Sequence, residues 1–305
     1  HWRGHETLRV PEEKKMEYLG QYKAVYKAKA GCEDILSKAQ DGGIVTAMFA
    51  YALETGIIDG AIVAGPGEEA YKPEPMIATT VDELLAARGT KYSISPNMSL
   101  IKEATRSYGL DKIGIVGTPC QIQAVRKAQL YPIGLRDVPD KIALDLGIFC
   151  MENFPYQGLY QMVEDHCATK IDNVTKMDIG KGKFSVYTER GVNAQIPLKV
   201  THKYEQPGCH VCLDYVANLA DISTGSVGTP DGWSTVFVRA AAGEAAFNKA
   251  VEAGWIIAES MDGVKPGLEL VTKLATEKIT KNQKYIEHRA HADHPALKPL
   301  RNPYI

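Results

Sequence analysis

The stretch QPGCHVCLDYVANLADISTGSVGTPDGW, Gln206 to Trp233, decides how the rest of the chain is read. It opens with a Cys-x-x-Cys pair, Cys209 and Cys212, set behind the turn-forming Pro207 and Gly208. It then crosses a short apolar segment and enters a Gly-rich loop containing Asp231. A pair of soft-metal ligands followed by a loop suited to a phosphate or a ring suggests a metal centre beside a cofactor.

Working outward, two more cysteines follow apolar runs. Ile113 to Val116 reads as a strand, then Gly117-Thr118-Pro119-Cys120 opens a helix over Gln121 to Leu130. Ile142 to Phe149 reads as a second strand ending at Cys150, with a helix over Tyr156 to His166 beyond it. This alternation predicts an α/β (α+β) fold of mixed sheets covered by helices. Ligands in open α/β sheets gather beyond the carboxyl ends of the strands, so both thiols are expected in one crevice. Four thiolates from three places suit zinc or a [4Fe–4S] cluster. Zinc sites more often use two local pairs, which tilts the reading toward the cluster. Cys32, among charged residues, and Cys167, closing a helix, read as incidental.

Upstream, Asp41-Gly42-Gly43 precedes a helical stretch from Ile44 to Thr55, whose first-turn N–H groups, near Thr46, can receive an anion. Gly65-Pro66-Gly67-Glu68-Glu69-Ala70 follows a strand over Ala61 to Ala64 and matches G-x-G-x-x-A. Pro66, Pro73 and Pro75 argue against the helix that a dinucleotide fingerprint needs there. Met76 to Ala78 reads as strand, Val81 to Arg88 and Asn97 to Tyr108 as helices, and Thr90-Lys91-Tyr92 as a loop able to hold a phosphate or stack on a ring. Downstream, Met177 to Phe184 reads as strand, turn, strand, with Val186 to Thr188 and Ile196 to Lys199 continuing as β. Ser234 to Arg239 reads as strand, and Gly243 to Ala253 and Leu268 to His288 as helices. Residues 1–17 are expected to be an arm, 18–96 a first domain, 97–290 a second, and 291–305 a tail.

Composition excludes other classes. A net charge of −2 gives no reason to expect nucleic acid, and no apolar run reaches the roughly 18 residues of a membrane span. The charged start HWRGHETLRVPEEKK has no apolar core, so the expectation is a cytoplasmic protein with reduced cysteines.

The segments DGGIVTAMFAYALETGIIDGAIVAGPGEE, GTKYSISPN, PCQIQAVRK, GIFCMENFPY, KMDIGKGKF and GCHVCLDYVANLADISTGSVGTPDGWSTV together resemble the β subunits of coenzyme F420-reducing [NiFe]-hydrogenases of methanogenic archaea. The likeness runs from about Tyr18 to Lys273. It implies an iron–sulfur flavoprotein with one [4Fe–4S] cluster on Cys120, Cys150, Cys209 and Cys212, one FAD, and an exchange site for F420. The flavin segments of that family fall on Gly42, Gly43 and Thr46, on Thr90, Lys91 and Tyr92, on Lys183, and on Ser226, Gly228, Asp231 and Trp233. Lys91, Lys181, Lys183 and Arg239 are candidates for holding the anionic F420. The chain lacks the C-x-x-C-x-x-C-x-x-x-C-P run that some related β subunits carry. The resemblance therefore implies electrons supplied by a partner, with a [NiFe] large subunit and a small iron–sulfur subunit in a higher oligomer of heterotrimers. The alternatives are the β subunit of a formate or F420H2 dehydrogenase, and a zinc-stapled binding module. A third makes Cys120 a nucleophile, with His202 or His210 as its base.

Overall fold

The computed structural model describes residues 18–131 and 138–291. The arm expected over 1–17, and all but the first residue of the tail expected over 291–305, lie outside the described residues.

An eight-stranded sheet runs in the order β11-β1-β10-β9-β5-β4-β2-β3. Its strands are β1 (Ala24–Ala30), β2 (Gly60–Gly65), β3 (Glu74–Ala78), β4 (Ile113–Gly117), β5 (Ile142–Ile148), β9 (Ile222–Gly225), β10 (Ser234–Val238) and β11 (Ile256–Ser260). Four consecutive strands, β9, β5, β4 and β2, are parallel to one another, and antiparallel strands flank them on both sides. The parallel strands are short continuous apolar runs such as GAIVAG and IGIVG because both faces are covered. Along β2, Ala61 and Val63 join the core beneath α1 (Ile44–Glu54), while Ile62 between them joins the core on the other face. Helices α2 (Val81–Ala86), α3 (Ile101–Arg106), α4 (Pro119–Leu130), α6 (Ala241–Glu252) and α7 (Gly267–His291) complete the covering layers, and α5 (Tyr156–Cys167) belongs elsewhere.

The expected mixed α/β architecture is thus what the chain adopts. The boundary expected near residue 97 does not divide this sheet, since β1, β2 and β3 lie in it beside β4 and β5. What does separate is a smaller layer. The three-stranded meander β6 (Val174–Gly180), β7 (Lys183–Thr188) and β8 (Gly191–Pro197) packs on α5 around Phe154, Leu159, Met162 and Phe184. Cys167 is buried in this core, and burial pushes its thiol up to about 11, which leaves it an inert small hydrophobe. Strand pairing expected through Lys199 stops at Pro197, and a single helical turn over Leu198–Thr201 follows. β9 sits mid-sheet where the sequence read as loop, and β1 and β11 are strands that had not been expected.

Candidate functional site

β4 and β5 are adjacent and parallel, so their carboxyl ends leave the sheet at the same edge. Cys120 stands one residue into α4, whose entry is fixed by Pro119 and by the Thr118 N–H donating to Gln121 Oε1 (3.0 Å). Cys150 follows β5, where its N–H donates to the Tyr215 carbonyl (2.9 Å). That bond couples the end of β5 to the segment just past the Cys209/Cys212 turn. Gly147 makes the coupling possible: a Cβ there would come within 2.3 Å of Ala217 Cβ and 2.9 Å of Ala220 Cβ. Cys209 and Cys212 lie on and just after a 3-10 turn over Pro207–Val211, tied to the β5 side by Gln206 N–H donating to the Asn153 carbonyl (2.8 Å).

The four thiols expected to act together do converge: each of Cys120, Cys209 and Cys212 perturbs the ionisation of Cys150. Burial, and then the neighbouring thiols, push Cys150 up to about 12, while Lys278 opposes them. Burial also raises Cys209 and Cys212. Cys120 is exposed whereas Cys150, Cys209 and Cys212 are partly buried, so the group is open on the Cys120 side. Among the described residues, a separate set of donors, from Glu152, His202 and Glu205, gathers within 4.8 Å of one another.

A lysine fixes the backbone of this site. Lys278, 3% exposed, donates to the Cys150 carbonyl (2.6 Å) and the Asp214 carbonyl (2.8 Å), and its amine also faces the Cys212 thiol. Burial disfavours its charge, but Cys212, Cys150 and Asp214 hold its pKa above the ordinary value. One turn on, Asn282 Nδ2 donates to the Cys209 (2.8 Å) and Cys212 (2.7 Å) carbonyls. Sequence reading missed both residues, which lie in the stretch Leu268 to His288 read only as a helix.

A cleft of about 790 Å³ lies at the carboxyl end of β2, which is parallel to β4 and so ends at the same edge of the sheet. The Gly65–Pro73 loop, residues 37–40, Arg88 to Lys91 and Thr175 to Met177 line it. Five cations (Lys38, Lys72, Arg88, Lys91, Lys176) face two carboxylates (Glu68, Glu69) in that lining. The Gly65–Ala70 segment begins no helix, as its prolines require, yet it walls the cleft. Gly67 is needed there because a Cβ would meet the Lys72 carbonyl at 2.1 Å. The cleft and the thiols are joined by backbone, since Phe154 N–H donates to the Tyr92 carbonyl (3.2 Å) and Ile94 N–H to the Phe154 carbonyl (3.1 Å).

Of the other expected residues, Thr90 and Lys91 line the cleft. The Lys91 amine donates to the Ala87, Arg88 and Gly89 carbonyls, and burial lowers its pKa to about 8. Tyr92 sits nearby with its ring 5.3 Å from Phe184. Gly42 lies against β1 and β10, where its N–H donates to Ser234 Oγ (3.1 Å), and Gly43 takes φ 69° to start α1, whose first turn carries Thr46. Beside them Asp41 faces Ser226, Asp231 and Asp178; burial first, then Asp178, raises its carboxyl to about 6. Gly228 (φ 99°) packs under the start of α7, and Lys27 and Lys29 lie 4.2 and 4.8 Å from the Trp233 ring. Lys183 stands apart from the cleft lining, exposed on β7 with its amine on Gln195 Oε1 (3.0 Å), and Lys181 occupies the β6–β7 turn at φ 51°. The anion-holding role expected for Arg239 is corrected: its guanidinium is buried and commits four of its five N–H groups to Ser223 Oγ and the Leu19, Gln21 and Val216 carbonyls. The histidines offered as a base for Cys120 both face Glu205 instead, and the Cys120 sulfur lies 3.2 Å from Thr118 Oγ1.

Comparison with known proteins bears on this geometry. Residues 25–102 match the family described as coenzyme F420 hydrogenase/dehydrogenase, beta subunit N-term, and residues 110–263 match its C terminus. The chain is 60% identical over 287 residues to a coenzyme F420 hydrogenase subunit beta of Methanosarcina barkeri, covering 94% of this chain and 98% of that one. It is 54% identical to the corresponding subunit of Methanothermobacter thermautotrophicus, covering 89% and 96%. Among solved structures, a chain of the F420-reducing [NiFe] hydrogenase complex from Methanosarcina barkeri superposes with a TM-score of 0.91 at 58% identity, covering 97% of this chain and all (100%) of that one. Two family segments spanning most of the sheet, and relatives this similar over nearly their whole length, place the chain in the coenzyme F420 hydrogenase/dehydrogenase beta subunit family.

Proposed function

We propose that this chain is the F420-reducing subunit of a [NiFe] hydrogenase, with a [4Fe–4S] cluster on Cys120, Cys150, Cys209 and Cys212 and FAD in the adjoining cleft. The observation that carries the reading is the meeting of four thiols from three distant segments around the buried amine of Lys278. A zinc staple is the alternative, and ligand pattern separates the two: zinc sites more often use two local Cys pairs, whereas Cys120 and Cys150 stand singly on separate segments.

When bound, the cluster would supply single electrons and the flavin would pair them into the hydride that F420 accepts. The chain's own residues supply position and charge. Lys278 places one positive charge beside Cys212 and Cys150, which offsets part of the charge that metal-bound thiolates carry. The cleft, with five cations to two carboxylates, suits a ligand bearing phosphates. Its volume falls within the roughly 300–1,000 Å³ usual for cofactor pockets. Cys120 is the exposed member of the four, so a docking surface beside it suits the partner hydrogenase subunits as electron donors.

Anaerobic purification with quantitation of iron, sulfide and flavin tests the reading, followed by F420 reduction from an artificial one-electron donor. About four irons and four sulfides per chain are expected, with stoichiometric flavin. A colourless, zinc-containing protein would overturn it. So would an iron–sulfur protein whose Cys150→Ala variant keeps a full complement of iron.

A further inference from the structure

Beside the thiols lies a second group of ligands that the electron path does not use. Glu152, His202 and Glu205 each bring one ligand atom to a common point, all within 4.8 Å of one another. His202 Nδ1 lies 3.4 Å from Glu152 Oε2 and contacts Glu205 Oε1. Behind them, His210 Nδ1 is 3.7 Å from Glu205 Oε2. Both carboxylates are withdrawn from water, with 8% of the Glu152 side chain and 2% of that of Glu205 exposed, whereas the His202 side chain is 43% exposed. Glu152 is hydrogen-bonded to Glu205 and takes a bond from Thr201 Oγ1 at 3.5 Å, with the Lys281 charge nearby. A cavity of about 10 Å³, the room of one water or one ion, opens against Glu152, Glu205 and His210, with Cys209 also in its wall and His202 outside its lining. Lys278 and Lys281 reach the same cavity from α7.

Two carboxylates brought together out of water need a cation or a shared proton. Donor atoms bound about 2.0–2.2 Å from one ion stand about 3–3.5 Å apart, and the 3.4 Å between His202 and Glu152 is of that order. The geometry points to a divalent-cation site formed by Glu152, Glu205 and His202, with His210 within reach. The oxygen and imidazole donors of these three residues suit ions of the Mn²⁺ or Fe²⁺ class. An ion there would tie together the loops that carry the thiols. Glu152 is two residues past Cys150, Glu205 is four before Cys209, and His210 lies between Cys209 and Cys212.

Mn²⁺ is the probe, because it leaves thiolates alone and its free aqueous signal in electron paramagnetic resonance disappears on binding. The full chain is expected to bind one Mn²⁺. His202→Gln, at an exposed position, should weaken binding at least tenfold while flavin and iron content stay unchanged. Glu152→Gln with Glu205→Gln should abolish it. Absence of binding to the wild type, or equal binding by His202→Gln, would overturn the assignment. Binding that appears only after Lys281→Met would overturn it as well, by making Lys281 the counter-ion of the pair.

Discussion

Arg126→Met is the most exacting test of how this sheet is held. The Arg126 guanidinium is buried and contacts Asp145 Oδ2 (2.6 Å), Asp221 Oδ1 (3.0 Å), the Leu219 carbonyl (2.9 Å) and Gln129 Oε1 (2.8 Å). The two carboxylates also receive each other's backbone N–H groups, at 3.0 and 2.8 Å, which locks β5 to the entry of β9. One cation thus serves two buried acids. Burial, and then the charge of Asp221, drives the Asp145 carboxyl well above its usual range even with Arg126 opposing. Methionine fills much of the same space but leaves the acids facing each other without a cation. Removing one partner of such a group costs about 3–5 kcal/mol. For a chain of this size, with about 2.1 cal/mol/K of unfolding entropy per residue, that is a Tm loss of roughly 5–8 °C. The pH dependence has a definite sign. An acid with a raised folded pKa binds its proton more tightly in the folded state, so its stability contribution is lost as pH rises through that pKa. The deficit of Arg126→Met should therefore be smaller at pH 5.5 than at pH 8. Thermal unfolding followed by circular dichroism at both values measures it. A Tm change under about 2 °C, or a deficit independent of pH, would refute the reasoning.

Gly147→Val should drive a side chain into Ala217 and Ala220, costing about 1–3 kcal/mol by overpacking, and should loosen iron retention because those alanines follow Cys212; a denaturation midpoint equal to wild type would count against it. Gly67→Ala should lower bound flavin with little loss of stability, since the clash with the Lys72 carbonyl is confined to the wall of the cleft; flavin absorbance per chain reads this. Asp41, raised to about 6, should make the wild type lose stability relative to Asp41→Asn as pH rises from 4 to 6, with no further change above; parallel melting curves across that range would exclude it.

The thiol set was legible because strand, tight turn and helix leave a pattern in the sequence, and β4–Thr118–Pro119–Cys120 follows it. A parallel pair then carries both chain ends to one edge without further information. The central position of β9 was not legible: ISTG is four residues long, carries two hydroxyls, and is a strand only because β5 and β10 flank it. The cleft was half legible. Pro66 correctly argued against a nucleotide-binding helix, but a loop can wall a site without starting one. Arg239 illustrates the opposite error. A cation at the end of a strand reads as a ligand for anions until the fold brings three carbonyls around it.

The least legible part is the part that assembles the site. Lys278 and Asn282 are four apart, so on a helix they share one face. In sequence, that face is only another polar stripe among EKITKNQKY. Folded, the two side chains reach the carbonyls of Cys150, Asp214, Cys209 and Cys212, which belong to two segments more than fifty residues apart. The clamp acts on carbonyls, so nothing in the identity of the clamped residues announces it. Its charge has a physical reason: a buried ammonium is stable here because Cys212, Cys150 and Asp214 favour the protonated form against the cost of burial. Lysine and thiols are thus mutually dependent. Replacing Lys278 by methionine would leave the partly buried Cys150 carbonyl without its lysine donor, at about 1–3 kcal/mol. It would leave the Asp214 carbonyl only the weak Cys212 thiol donor (3.4 Å), and would also withdraw the ammonium charge that acts on Cys150, Cys209 and Cys212. Replacing the cysteines would leave a buried ammonium with fewer counter-charges. That reciprocity explains why a helix at the far end of the chain is needed for a site whose ligands all precede residue 213.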